Sequence, residues 1–145
     1  MNALAEKHPA FERRVASVED PASLDPAVQG AQLVVHCAGP FLDTAAPVIE
    51  AALRARIHYV DIAAEQTAVF HTFEPYDERA RQADILVTPA LAFYGGLSDL
   101  LATAAMDDWE SADTISVAVA LDSWQPTLGT RLTGERNSGQ RFVSR

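Results

Sequence analysis

Gln32-Leu33-Val34-Val35-His36-Cys37-Ala38-Gly39-Pro40-Phe41 is the stretch on which the fold turns. Its first six residues form a short, β-branched run between Gly30 and Gly39-Pro40, which predicts a buried strand over Gln32–Cys37 ending in a small-residue turn. Downstream, Asp43 or Thr44 is placed to cap a helix, with Pro47 in its first turn, where a missing N–H costs little. Val48, Ile49, Ala52 and Leu53 give that helix one apolar face, and Arg54 and Arg56 suit its carboxyl end. Tyr59-Val60-Asp61-Ile62 reads as the next strand, followed by helical segments around Glu65–Phe73 and Glu74–Ala83. Ile85–Thr88 reads as a third buried strand ended by Pro89. The loop Ala92–Gly96 leads into a helix from Leu97 to Met106, with Leu97, Leu100, Leu101 and Ala104 as its buried stripe. Strand and helix alternate throughout, the pattern of a parallel sheet with helices on its faces.

Working back from the same stretch, Asp20-Pro21 opens a short helix through Ala27-Val28 with Gly30 as its stop. Arg14–Val18 is a β-type run, and Asn2–Lys7 a helix closed by His8-Pro9. Forward of Asp107 the pattern changes. Ile115, Val117, Val119 and Leu121 alternate with Ser116, Ala118, Ala120 and Asp122, which predicts a half-buried strand of a different sheet. The expected division is therefore residues 1–108 for the first unit and 109–145 for the opening of a second, sheet-containing domain. Gly134–Arg145 has no apolar period and reads as a loose polar tail.

Composition narrows the function classes. The 145 residues are 48% hydrophobic with a formal net charge of -9. That is ordinary globular composition, and the acidity disfavours nucleic acid as a partner. One cysteine, Cys37, excludes an internal disulfide framework, and a cytoplasmic location is expected. Met1–Glu12 lacks the apolar run of a secretory leader, and the longest apolar stretch, Ile85–Leu97, is too short to span a bilayer. His8, His58 and His71 share no metal-ligand spacing with Cys37, so no metal is expected. No Gly-x-Ser-x-Gly elbow, Walker loop or defensible general base is present, and the catalytic residues are unassigned.

His36-Cys37-Ala38-Gly39-Pro40-Phe41 resembles the fourth strand and following turn of saccharopine-dehydrogenase-like reductases. Pro47–Leu53 resembles that family's next helix, and His58–Ile62 its Tyr-Val-Asp strand. Glu65 falls where a Gly-Glu pair is common. Phe93–Leu100 resembles the passage out of the nucleotide domain, and Asp20–Leu24 the linker after the third strand. The resemblance covers roughly Asn2 to Met106. It implies an NAD(P)-dependent oxidoreductase acting on a small-molecule substrate, with NADP or NAD as cofactor, and a doubly wound, Rossmann-like sheet. Two departures stand out. Arg56-Ile57 replaces the family's glycine at a helix end, where a left-handed residue is favoured; such a conformation at Arg56 costs roughly 1 kcal/mol. The family's opening strand, Gly-x-Gly-x-x-Gly turn, helix and second strand have no counterpart here.

The expected fold is thus α/β, a partial doubly wound parallel sheet missing its first strands. In the order 3-2-1-4-5-6 those strands lie between Arg14–Val18 and Leu33–His36, a gap of roughly 14 Å. The first strand would then move in, fray, or leave an apolar edge open to a second copy of the chain. By resemblance, the cofactor would meet Ala38, Gly39, Pro40, Phe41 and Asp61, and the substrate would meet Tyr94, Gly95 and Gly96. Each also has a plainer reading: Gly39-Pro40 as a strand-ending turn, Asp61 as a helix cap, Tyr94 as a half-buried aromatic, Gly95-Gly96 as a tight turn. His36 reads as a satisfied core histidine and Cys37 as inert packing. Two functional expectations follow. One is a shortened oxidoreductase, inactive as this chain alone; the other is a non-catalytic module that self-associates.

Overall fold

The computed structural model describes residues 10–136 and 138. Among these residues the fold is α/β, a three-stranded parallel sheet with five α-helices, a partial Rossmann-like arrangement. After a 3-10 turn, Pro21–Ser23, come α1 (Leu24–Val28), β1 (Leu33–His36) and α2 (Phe41–Ala55). Next are β2 (His58–Asp61), α3 (Gln66–Ala83) and β3 (Val87–Thr88). Two helices, α4 (Gly96–Met106) and α5 (Leu128–Arg136), complete the described chain. The sheet order is β1-β2-β3, with Val34 beside Tyr59, His36 beside Asp61 and Tyr59 beside Val87.

Alternation assigns the two faces of the sheet. Val34, His36, Tyr59, Asp61 and Val87 point to one side, where α2 packs on β1 and β2, and α3 packs on α2 and β3. The core forms there: Ile49, Ala51, Ala52 and Tyr59 are fully buried. The opposite face carries Leu33, Val35, His58 and Leu86, all exposed. Val35 is 57% exposed and Leu33 46%, so the strand predicted as buried is buried only on its helix side.

Ion pairs fix the helices laterally. Arg79 places both terminal nitrogens on Glu50, 2.6 and 2.7 Å, joining α3 to α2. Arg54 reaches Asp25 at 2.6 Å, joining α2 to α1. Arg56 adopts the left-handed conformation its position requires, with φ of 55°. Ile57 N donates to Ala52 O and Arg56 N to Leu53 O, closing the helix in a Schellman pattern.

Several sequence expectations are corrected. Arg14–Val18 forms no strand; its only ladder contact is an isolated bridge from Ser17 to Asp20, and the Arg14 guanidinium instead binds the carbonyls of Pro26, Ala27 and Gln29. Among the described residues the outer edge of β1 is therefore left unpaired. Neither Asp43 nor Thr44 caps α2, because the helix starts earlier, at Phe41, with Pro40 as cap residue. Pro47 therefore lies inside α2, beyond its first turn. The two helical segments after Glu65 are one helix that continues through Pro75. The third strand shrinks to Val87–Thr88.

Beyond β3 the predicted burial is absent. Leu97, Leu100, Leu101 and Ala104 of α4 are exposed. Ile115, Val117, Val119 and Leu121 form no strand and are exposed, because no described strand runs beside them. Trp109 and Trp124, flanking that segment, are also exposed. Cys37 is exposed rather than packed. The expected loose tail begins as helix, since α5 runs to Arg136. The predicted helix Asn2–Lys7 lies outside the described residues, as does the tail from residue 139 onward.

Candidate functional site

The carboxyl ends of parallel strands are where ligands meet such sheets, and three connections gather there. The first is Ala38–Phe41, between β1 and α2. Ala38 and Gly39 are exposed, Pro40 half-buried and Phe41 buried. The Gly39–Pro40 peptide bond is cis. A Cβ on Gly39 would come within 3.2 Å of the Phe41 ring, so the glycine admits that ring against the backbone. Thr44, one turn into α2, holds the connection from inside. Its hydroxyl lies 2.7 Å from Ala38 O, 3.0 Å from Pro40 O and 2.9 Å from His36 Nε2. A hydroxyl has one proton, so donation to Ala38 O leaves His36 Nε2–H as the donor to Thr44. His36 meets Phe41 edge-on, with ring centroids 5.2 Å apart. Burial lowers the His36 pKa, against a smaller upward pull from Asp61.

Glu65 closes the amino end of α2. Its carboxylate accepts the Phe41 N–H at 3.0 Å and the Leu42 N–H at 3.2 Å. Two of the unpaired donors at that helix end are thereby occupied by a protein carboxylate rather than left for an anion. Glu65 is also the cap residue of α3, where its backbone carbonyl accepts the Val69 N–H, so one residue links two helix starts, one by its side chain and one by its main chain. The sequence suggested only a first-turn acid; the partners lie 24 residues away, and no local pattern signals them.

The second connection leaves β2 at Asp61. The residue is 1% exposed, and its carboxylate accepts three donors: the Tyr59 hydroxyl at 2.8 Å, Ala63 N at 2.9 Å and Ala90 N at 2.8 Å. Burial and the neighbouring carboxylate hold the Tyr59 phenol far above its usual pKa, so it serves as a donor throughout the working pH range. Through Ala90, Asp61 fastens the third connection, from β3 to α4, to the end of β2; Leu91 N donates to Asp61 O at 2.8 Å as a second tie.

That third connection is folded on itself. Gly96 N and Ala92 N both donate to Ala90 O, and Ala90 has φ of 56°. A Cβ on Gly95 would come within 2.2 Å of Ala90 O, and one on Gly96 within 2.8 Å of Leu91. Both glycines are required by this close approach of backbone to backbone. Tyr94 is exposed and packs edge-on against Phe93, ring centroids 5.3 Å apart. Asp61 brings the β2 end and the Ala90 loop together, while Glu65 anchors the Phe41 turn beside them.

A shallow cavity of about 190 Å³, lined by Phe73, Tyr76, Leu86 and Val87 among others, lies between α3 and β3. Its walls are the helix flank and the start of β3 rather than the carboxyl-end loops. Among the described residues, no three His, Cys, Asp or Glu side chains gather as a metal site. No described helix is long and apolar enough to cross a membrane.

The family model for the saccharopine dehydrogenase NADP-binding domain matches residues 1–88, more than half of the 145-residue chain. The chain belongs to the saccharopine dehydrogenase NADP-binding domain family. The matched span of this NADP-binding domain takes in all three strands, α2, α3, the turn Ala38–Phe41 and Asp61. Tyr94, Gly95 and Gly96 lie beyond it. Neither the curated proteins nor the solved structures give a match to the chain.

Proposed function

We propose that this chain supplies the far wall of the dinucleotide crevice of an NAD(P)-dependent oxidoreductase and does not turn over substrate by itself. The observation that carries the reading is a mismatch. The chain belongs to an NADP-binding domain family, yet its seven glycines, at 30, 39, 95, 96, 129, 134 and 139, spell no Gly-x-Gly-x-x-Gly. Pyrophosphate binding rests on that turn and on the helix it opens. The start of α2, directly after β1, has its first N–H groups on Glu65.

In this reading Ala38, Gly39, Pro40 and Phe41 line the cofactor side. Asp61 contributes by fixing the loop that faces it, since its carboxylate is occupied by three protein donors. Tyr94, Gly95 and Gly96 border the substrate side, and the substrate is a small molecule. Residues 1–108 form the nucleotide-binding unit and 109–145 open the second. NADP is favoured over NAD by the family's own description. The free, exposed Cys37 suits a reducing, cytoplasmic compartment.

A thermal melt of the purified chain with and without millimolar NADPH and NADH tests this. A ligand at a hundred times its Kd adds about 2.7 kcal/mol, a shift of roughly 10 °C for a domain of this size. We expect a cooperative melt, no shift, and no nucleotide oxidation. A clear shift accompanied by turnover overturns the proposal.

A further inference from the structure

We propose that the apolar face of α4 is the contact surface of a homodimer, in which α4 of one chain packs antiparallel on α4 of a second copy. Successive residues of an α-helix are turned by about 100°. On that geometry Leu97, Leu100, Leu101 and Ala104, at i, i+3, i+4 and i+7, make one stripe, and Ser98, Ala102 and Met106 lie on the opposite side. The burial is the reverse of what such a stripe gives a helix packed on its own chain. Ser98, Ala102 and Met106 are half-buried, whereas the stripe is exposed, Leu100 at 64% and Leu101 at 57%. No side chain of α4 is fully buried. The loop before the helix continues the patch. Leu91, Phe93 and Tyr94 are exposed, and a Cβ on Gly96 would come within 2.8 Å of Leu91 Cδ1, so the Leu91 side chain lies against the first turn of α4.

Three features fit this surface to a second copy of the chain. The first is charge. The chain carries a net charge of -9, which keeps copies apart over most of their surface. Yet Asp99 is the only charged residue between Pro89 and Met106, and it lies on the side away from the stripe. Two copies can therefore bring these faces together with no like charges opposed. The second is area. Leu91, Phe93, Tyr94, Leu97, Leu100 and Leu101, each about half exposed, offer on the order of 500 Å² of apolar surface per chain. A stable homodimer buries about 800 Å² per partner, about 65% of it apolar, so the patch supplies what is needed. The third is symmetry. A contact centred on one helix is self-complementary about a two-fold axis, and it closes at two chains. Side chains spaced as in this stripe form ridges that fill the grooves of the facing helix. The dimer stands whether or not the chain meets a dinucleotide, and it uses neither the edge of β1 nor the sheet face around Val35.

Sedimentation velocity of the full chain, with no nucleotide present, tests it. The wild type should sediment with twice the mass of one chain at micromolar concentration. Leu100→Glu should return it to the single mass, because the new carboxylate would be buried without a partner where the helices cross. Leu100 is exposed in the single chain, so the substitution leaves the core untouched. Val35→Lys should leave the dimer intact. Hydrogen exchange of the wild type gives a second reading that needs no substitution: the α4 amides should slow as the protein concentration is raised through the dissociation range, and the β1 amides should not. A wild type that keeps the single mass at near-millimolar concentration overturns the proposal. So does a Leu100→Glu variant that still dimerises, or a dimer that Val35→Lys dissolves.

Discussion

His36 stands between two influences, and burial outweighs the Asp61 carboxylate, so its pKa in the folded protein lies below the ordinary 6.5. The sign of the stability effect follows. The unfolded chain takes up a proton near pH 6.5 while the folded one still resists it, so stability rises with pH in that interval. The contribution is full above 6.5 and is lost as the pH falls through the folded value. Urea unfolding over a pH series should show the wild type losing more stability below 6.5 than His36→Gln. A wild-type-to-variant difference that does not vary with pH contradicts this. Gly95 illustrates what residue-level reading can recover: the Gly95-Gly96 pair signalled a tight turn, and the approach to Ala90 O explains it. Arg56 stands where the resembled family has a glycine at a helix end, and it adopts the left-handed conformation that a glycine there favours.

Among the elements, α2 shows where sequence patterns end. Its apolar face, Val48, Ile49, Ala52 and Leu53, is legible from spacing alone; the first three are buried and Leu53 is partly buried. Its start is not. Asp43 and Thr44 are good local caps, but Glu65 takes the first two N–H groups from a distant part of the chain. Thr44 turns inward to hold Ala38 and His36 instead. Glu65→Ala should lower stability by about 1–2 kcal/mol, measured by urea unfolding; a loss within error of zero would show that the cap contributes nothing. The strands are likewise half legible. Their positions follow from β-branched runs, but Ile115–Leu121 has equally good alternation and forms no strand. Alternation states which face could be buried; it cannot provide the neighbouring strand that would bury it.

For the whole molecule, the decisive feature is that α2 and α3 cover one face of the sheet while Leu33, Val35 and Leu86 stand exposed on the other. Among the described residues, β1 also has no partner on its outer edge. An apolar face beside an open edge favours association. If the self-associating reading holds, sedimentation velocity at micromolar concentration should give a dimer, and Val35→Lys should return it to monomer. A monomer at every concentration rejects that reading and leaves the crevice-wall reading alone. The placement of aromatic side chains has a practical corollary. Both indoles, Trp109 and Trp124, sit in the exposed segment after α4, whereas the phenols Tyr59 and Tyr76 sit inside the helix–sheet core. The protein therefore carries two separate optical reporters. Fluorescence excited selectively at the indoles follows the carboxyl-terminal segment, and tyrosine absorbance is weighted to the core by Tyr59 and Tyr76, with Tyr94 reporting the exposed loop before α4.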